Sequence, residues 1–223
     1  MGRMIRMTMA DGAEIGVYHA MPKSERRGGL VVAQEIFGIT DHIRDVADGF
    51  ARDGYEVLAP ALFDREAPGL EAAYEGEDRA AAIALARAHP LDQSVRDVGT
   101  CVAMLADKGP VFVVGYCYGG SIAWLAATRI DRIAAASGYY GRLVPQHLDE
   151  TPRVPVILHF GRHDASIPMA KVQKVIDADP PLTTVHLYDA GHGFSSDRCK
   201  DYHAPSADLA RTRTLDLFRA NGG

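Results

Sequence analysis

A cysteine between closely spaced glycines is the residue of this sequence best suited to nucleophilic chemistry. The segment Gly115–Gly120 reads GYCYGG and follows the short apolar run Val111–Gly115. The pattern is that of a nucleophile elbow, a sharp turn from strand to helix that lifts its central side chain above a sheet, with cysteine in place of serine. The start of the following helix also favours a thiolate. We interpret Cys117 as a candidate nucleophile, and a buried structural cysteine in a glycine-rich turn is the alternative.

Two later segments offer an acid and a base. In enzymes with this elbow, the acid and then the histidine follow the nucleophile along the chain. Asp164 follows the apolar run Val154–Gly161, and His192 follows the run Thr183–Asp189. A turn aspartate and a loop histidine are the ordinary explanations for each residue alone. Their order and their positions after predicted strands together predict a Cys117–His192–Asp164 triad.

Other acids and histidines provide competing interpretations. Asp189 is a rival acid, but it ends its predicted strand only three residues before His192. His159 and His163 flank a strand end and share no helical face, and no group of carboxylates completes a set of metal ligands. We therefore prefer Asp164 as the acid and predict neither a metal nor a cofactor.

Alternating strand-like and helix-like segments must position these residues. Such alternation predicts an α/β fold with a mostly parallel central sheet and helices on both faces, in which ligands bind at the carboxyl ends of the strands. The predicted strands are Leu30–Glu35, Tyr55–Pro60, Val111–Gly115, the run IAAASGYY, Val154–Gly161 and Thr183–Asp189. The predicted helices run from an N-cap at Asp41 to near Gly54, over Asp78–Ala88 and Asp92–Asp107, from near Ser121, and over Met169–Ala178 and Ser206–Ala220.

The composition is that of an ordinary globular chain. It has 223 residues, 47% apolar and 24% charged, with a net charge of −5, which suits one domain over residues 1–223 and gives no basic surface for nucleic acid. No apolar run is long enough to cross a membrane. The N-terminal residues lack the apolar stretch of a secretory signal, and the three cysteines show no disulfide pattern. We expect a cytoplasmic monomer or small homo-oligomer without nucleic-acid or membrane partners.

Five segments resemble the dienelactone hydrolase (carboxymethylenebutenolidase) family in order and spacing. They read QEIFG, GYCYGG, GYYG, GRHD and AGHGF and begin at Gln34, Gly115, Gly138, Gly161 and Ala190. The similarity covers nearly the whole chain, and a cysteine elbow preceded by QE-x-FG is unusual among α/β-hydrolases. The resemblance implies the α/β-hydrolase fold and a hydrolase that opens a small lactone or ester through a thioester acyl-enzyme.

The resemblance also implies roles beyond the triad. Glu35 resembles the family's glutamate, which holds the resting thiol by a hydrogen bond and moves away when substrate binds. The backbone N–H groups of Ile36 and Tyr118 resemble the oxyanion hole. This agrees with the usual donors, which are the residue after the nucleophile and a residue on an earlier loop.

Substrate binding is less well specified by the resemblance. The family's substrate is an anionic lactone held by arginines, and Arg79 lies close to one such position. Ser196 stands where the best-known members carry another arginine, with Arg198 two residues further on. Both arginines could equally be solvated surface charges. Tyr139 is the better candidate of its tyrosine pair to face the pocket, and Phe37 is a pocket or core residue.

Two other functions remain open at this point. One is a general carboxylesterase or thioesterase acting on neutral substrates. The other is a binding module that kept the fold, in which Cys117 is only an oxidisable thiol. The complete set of triad residues favours the hydrolase.

Overall fold

The structure is a computed structural model that describes all 223 residues and contains eight strands and six α-helices. The strands are Arg3–Thr8 (β1), Glu14–Ala20 (β2), Gly28–Ala33 (β3), Tyr55–Pro60 (β4), Val111–Tyr116 (β5), Ala135–Tyr139 (β6), Val156–Gly161 (β7) and Thr183–Tyr188 (β8). The helices are Asp41–Arg52 (α1), Gly76–Ala88 (α2), Leu91–Ala106 (α3), Tyr118–Arg129 (α4), Met169–Ala178 (α5) and Ala204–Ala220 (α6), and a short 3₁₀ helix covers Val144–Gln146.

All eight strands form one sheet in the order β1-β2-β4-β3-β5-β6-β7-β8. The six strands from β4 to β8 in this order are parallel, and β1 and β2 add an antiparallel edge. Helices α3 and α4 pack against each other and on β3 and β5. Helix α1 packs on β2, β3 and β4, helix α6 packs on β6 and β7, and the rings of Phe50 and Phe218 bring these two helices into contact. The predicted α/β-hydrolase architecture is confirmed.

The central strands hold the core of the molecule. Every residue of β3, β4, β5, β6 and β7 is buried, as expected for parallel strands covered on both faces. Their apolar side chains join those of the helices in one continuous cluster. This packed sheet gives the loops at its carboxyl edge a rigid base. No helix of the structure combines the length and the apolar character needed to cross a bilayer.

Several predicted boundaries differ from the structure. Strands β1 and β2 were not predicted, and β1 is a largely exposed edge strand without a clear apolar run. Helix α4 begins at Tyr118 and not near Ser121, since the turn is completed at Cys117 itself. The N-cap of α1 is Thr40, and Asp41 is its first helical residue.

Candidate active site

The nucleophile elbow lies between β5 and α4. Cys117 has φ 54°, a left-handed conformation that is costly for a residue with a side chain. The residues two positions before and two positions after Cys117 must be glycine. A Cβ at Gly115 would lie 1.8 Å from the Gly119 carbonyl oxygen, and a Cβ at Gly119 would lie 2.0 Å from the Ala33 carbonyl oxygen. The Cys117 N–H donates to the Tyr139 carbonyl oxygen at 3.0 Å. The sequence therefore enforces the close backbone packing that holds Cys117 in a strained turn.

Three loops at the carboxyl edge bring the predicted triad residues together. His192 Nε2 lies 3.2 Å from Cys117 Sγ, and His192 Nδ1 lies 2.7 Å from Asp164 Oδ2. The other oxygen of Asp164 accepts the backbone N–H groups of Ser166 and Ile167 at 2.7 and 2.9 Å. The Asp164 side chain is fully buried. A fixed carboxylate thus orients the imidazole toward the thiol.

The electrostatics of this cluster favour a charged imidazole. Burial lowers the pKa of His192, but negative charge at Cys117 and the hydrogen bond that His192 donates to Asp164 outweigh it and raise the pKa to about 10. His192 therefore keeps its proton at neutral pH. A protonated imidazole in contact with a cysteine is an arrangement suited to nucleophilic attack on carbonyl carbon.

The rival acid lies elsewhere. The side chain of Asp189 is 84% exposed and pairs with His163 Nε2 at 2.5 Å. It makes no hydrogen bond to His192. His159 is fully buried and bonds the Tyr188 hydroxyl at 2.7 Å, so burial lowers its pKa well below the usual value. No group of three or more His, Cys, Asp or Glu side chains in the structure is arranged to hold a metal ion.

Glu35 does not have the partner that the family resemblance implies. Its carboxylate is 2% exposed and accepts the Tyr74 hydroxyl at 2.5 Å, while Cys117 is bonded by His192. The expectation of a Glu35 bond to the thiol is therefore wrong for this structure, in which one Glu35 oxygen accepts from Tyr74 and the thiol contacts His192 instead. Burial and the neighbouring Glu35 charge both raise the pKa of Tyr74, so its hydroxyl stays a proton donor.

The two backbone N–H groups predicted for the oxyanion hole border the same cavity as Cys117. Neither Ile36 N–H nor Tyr118 N–H donates a hydrogen bond within the protein. The Gly119 N–H donates to the Gln34 carbonyl oxygen at 2.9 Å and ties the two loops together. The two unbonded N–H groups therefore lie on segments that are joined to each other. Such donors suit a substrate oxygen that gains negative charge during the reaction.

Comparison with known proteins agrees with this geometry. The family model described as the dienelactone hydrolase family matches residues 15–222. The chain is 33% identical over 220 residues to the carboxymethylenebutenolidase of Pseudomonas putida, covering 93% of this chain and 92% of that protein. It is 30% identical over 217 residues to the carboxymethylenebutenolidase of Pseudomonas sp. strain P51, with 93% and 91% covered. The chain belongs to the dienelactone hydrolase family.

Solved structures support the same assignment. A candidate dienelactone hydrolase of Klebsiella pneumoniae superposes with a TM-score of 0.84 and 27% identity, covering 98% of this chain and 99% of the other. The Pyrococcus furiosus esterase Pf2001 shares the fold at a TM-score of 0.70 and 13% identity, with 100% and 92% covered. The prediction of a dienelactone hydrolase-like enzyme with the α/β-hydrolase fold is confirmed.

In this hydrolase Cys117 and His192 border a cavity of about 870 Å³. Phe37 is buried in its wall with its ring 4.2 Å from that of Tyr74. Arg79 and Arg198 both border the cavity and are exposed to solvent. The structure thus places both predicted arginines at the site, and Arg198 also contacts Asp45 at 3.5 Å.

The prediction that Tyr139 faces the pocket is wrong. Tyr139 is 1% exposed, its hydroxyl bonds Thr214 at 2.8 Å, and its ring lies 4.4 Å from that of His159. As the last residue of β6, it keeps the strand's alternation and packs into the core. Tyr140 breaks that alternation with φ 39°, and its ring lies 5.0 Å from that of His192. A positive φ at tyrosine has no clear sequence signal, so Tyr140 was not predicted.

Two further residues beside the cavity were not among the predicted site residues. Tyr74 is one of them, and its bond to Glu35 depends on a loop that no periodicity describes. Cys199 borders the cavity too, and burial, with the nearby Glu35 and Cys117 charges, raises its pKa to about 12. Cys199 is therefore a neutral thiol and a poor rival nucleophile.

Proposed function

We propose that the protein opens a small lactone or ester through a Cys117–His192–Asp164 triad and a thioester acyl-enzyme. The observation that carries the proposal is the continuous hydrogen-bonded chain from the thiol to the carboxylate, with contacts of 3.2 and 2.7 Å, at the wall of a large cavity. A cysteine with a base in contact, and that base oriented by a third group, is the arrangement needed for nucleophilic acyl transfer.

The reaction begins when the Cys117 thiolate attacks the carbonyl carbon and the π electrons move to oxygen. The N–H groups of Ile36 and Tyr118 donate to the resulting oxyanion. The tetrahedral intermediate collapses to a thioester, and His192 gives its proton to the departing alkoxide. In a lactone the new hydroxyl stays attached to the acyl chain, because the broken bond was part of a ring.

Deacylation uses the same groups in reverse. Neutral His192 accepts a proton from water as the hydroxide attacks the thioester carbonyl, and the thiolate leaves. Asp164 stabilises the imidazolium in each half-reaction and keeps its tautomer. The carboxylic acid product ionises and departs, and the thiolate–imidazolium pair is restored.

Glu35 and Tyr74 have a supporting role in this proposal. A bare carboxylate beside Cys117 would oppose the thiolate through like-charge repulsion. The Tyr74 hydroxyl donates to Glu35 at 2.5 Å and keeps the carboxylate occupied. Tyr74 is thus a positioning residue that holds Glu35 away from the thiol in the reactive form of the site.

The proposed substrates are small lactones and esters of the kind that give carboxymethylenebutenolidases their name. Basic side chains on the cavity wall favour an acidic substrate, and a neutral esterase or a thioesterase is the competing assignment. The single buried core supports the proposal that residues 1–223 form one domain.

Trapping the acyl-enzyme tests the proposal directly. Wild-type protein and the Cys117→Ala and Cys199→Ala variants are mixed with a dienelactone, an aryl ester or an acyl thioester, quenched in acid and analysed by intact-mass and peptide mass spectrometry. We expect a mass increase on the peptide with Cys117 in the wild type and Cys199→Ala only, with fastest turnover on the lactone. Turnover by Cys117→Ala at the wild-type rate would overturn the mechanism, and a preference for thioesters would overturn the substrate class.

A further inference from the structure

The wall of the catalytic cavity carries more basic than acidic side chains. Glu35 is already bonded to Tyr74, and only Glu75 and Asp201 add further carboxylates. The basic residues come from three separate segments of the chain. They are Arg79 and Arg87 on α2, Arg142 after β6, and Arg198 and Lys200 after His192.

Three of these arginines have no ionic partner in the protein. Arg79, Arg87 and Arg142 take part in none of its ion pairs, unlike exposed arginines such as those of the Arg132–Asp107 and Arg219–Asp216 pairs. Arg198 differs, because it contacts Asp45 at 3.5 Å and Asp197 at 3.6 Å. An incoming anion can therefore bind Arg142 or the two α2 arginines without breaking an existing pair.

The unpaired arginines lie on two sides of the nucleophile. Strand β5, which leads to Cys117, lies between β3 and β6 in the sheet. The segment before α2 is tied to the end of β3 by the Tyr74–Glu35 bond. Arg142 follows β6, so it approaches the cavity from the opposite side.

The backbone at Arg142 is fixed relative to Cys117. The Leu143 N–H donates to Ser121 Oγ at 3.0 Å, and Ser121 is 1% exposed on the helix that begins beside the nucleophile. A Cβ at Gly141 would lie 2.8 Å from the Gly120 carbonyl carbon, which shows how closely the two segments pack. A long side chain on a fixed base suits recognition at a defined distance from the reacting carbonyl.

We propose that Arg142 forms a second anion subsite, separate from the α2 arginines, and that the enzyme takes lactones or esters with two carboxylates, one on each side of the attacked carbonyl. This inference rests on the proposed function, since it assumes that Cys117 is the nucleophile. A guanidinium can hold a carboxylate by two parallel hydrogen bonds, and this geometry distinguishes carboxylate from neutral groups. Because all three arginines are exposed, solvent screening limits each contact to roughly three- to tenfold in KM.

Four chromogenic esters separate the two subsites. Butyrate esters have an acyl part without a carboxylate, and glutarate half-esters have an acyl part with one. Each acyl part is joined to 4-nitrophenol or to 3-carboxy-4-nitrophenol, so the leaving group is also made without or with a carboxylate. KM is measured for the wild type, Arg142→Gln, the double variant Arg79→Gln/Arg87→Gln, and the control Arg3→Gln, which removes an exposed, unpaired arginine on β1, away from the cavity. Each value is divided by that of the neutral ester for the same variant.

We expect Arg142→Gln to raise the relative KM about three- to tenfold for one singly charged ester and for the doubly charged ester. The α2 double variant should raise the relative KM for the other singly charged ester and for the doubly charged ester. Arg3→Gln should change none of these relative KM values. A raised relative KM for the same singly charged ester in both cavity variants would overturn the two-subsite proposal. An Arg142→Gln variant that raises no relative KM would also overturn it. Loss of turnover in Cys117→Ala tests the nucleophile independently of these ratios.

Discussion

Two regions at the cavity are held in place differently. One is the proposed triad, and the other is the basic rim, which consists of Arg79, Arg87, Arg142, Arg198 and Lys200. Asp164 is buried with both carboxylate oxygens bonded, and His192 is held between it and Cys117. Arg79 and Arg142 are exposed and have no partner in the protein. The first region is held by its own hydrogen bonds, whereas no ion pair holds the arginine side chains of the second. Loss of a triad group should therefore affect the rate of chemistry, and loss of a rim group should affect KM.

The largest effect should come from the nucleophile. Cys117→Ala removes the attacking atom and should lower kcat by about 10³-fold or more, while circular dichroism and thermal unfolding stay close to wild type. Cys199→Ala is the matched control, because it removes a second thiol from the same cavity and should leave kcat within about twofold. A comparable loss in both variants would mean that cavity packing, and not nucleophilic attack, governs the rate.

The choice of acid gives the next largest effect. Asp164→Asn should lower kcat by roughly 10²- to 10⁴-fold, because the imidazole loses the carboxylate that fixes its tautomer and stabilises its charge. Asp189→Asn alters an exposed carboxylate bound to His163 and should change kcat less than twofold. Steady-state kinetics on one aryl ester compare the two variants. Equal damage from both would show that Asp164 is not the orienting acid.

The strands that hold Cys117, Asp164 and His192 were largely predictable from the sequence. Short apolar runs identified the parallel strands from β3 onward, and the order of Cys117, Asp164 and His192 along the chain predicted three side chains that lie in hydrogen-bond contact. Both signals are local, since each residue follows its own strand. The exposed β1 strand was missed because the packing that makes it a strand comes from β2, and its own residues carry no clear alternation.

The parts that could not be predicted depend on loop conformation. Tyr139 and Tyr140 are adjacent and chemically identical, and only the φ of 39° at Tyr140 decides which of them meets His192. The Tyr74–Glu35 bond joins residues 39 positions apart through an irregular loop. Arg142 borders the cavity because its segment packs on α4. None of these contacts has a periodic signature.

The raised pKa of His192 depends on Cys117 and Asp164 and predicts a pH effect. In Cys117→Ala the thiolate charge is lost while burial still lowers the pKa, so the pKa of His192 should fall well below the wild-type value of about 10. The raised wild-type pKa adds stability that is full below the unfolded-state value near 6.5 and is lost as the pH rises through about 10. NMR titration of ring-labelled histidine provides the measurement. An unchanged pKa in the variant would exclude the thiolate as the cause.

A moderate effect is expected where Tyr74 meets Glu35. Tyr74→Phe frees the carboxylate, whose charge then opposes the thiolate, so iodoacetamide should alkylate Cys117 several-fold more slowly and kcat should fall by a similar factor. The double variant Tyr74→Phe/Glu35→Gln removes the repelling charge and should recover the alkylation rate. Peptide mass spectrometry over time separates Cys117 from Cys199. If the double variant stays as slow as Tyr74→Phe, the tyrosine acts through packing on Phe37 and not through the carboxylate.

The smallest effect should distinguish two arginines of the rim. Arg79 has no carboxylate partner, whereas Arg198 already contacts Asp45 and Asp197 and its side chain is 48% exposed. A substrate carboxylate must therefore compete with two aspartates at Arg198, and solvent screening weakens any contact there. We expect Arg79→Ala to raise KM for an anionic lactone by about three- to tenfold and Arg198→Ala by about twofold or less, with little change for a neutral aryl ester. The measurement is KM for both substrates at low and at high salt, since an ionic contact loses its effect as salt rises. An Arg198→Ala effect larger than that of Arg79→Ala would mean that Arg198 leaves its aspartates when substrate binds, and the rim would then rearrange in a way that its present ion pairs do not show.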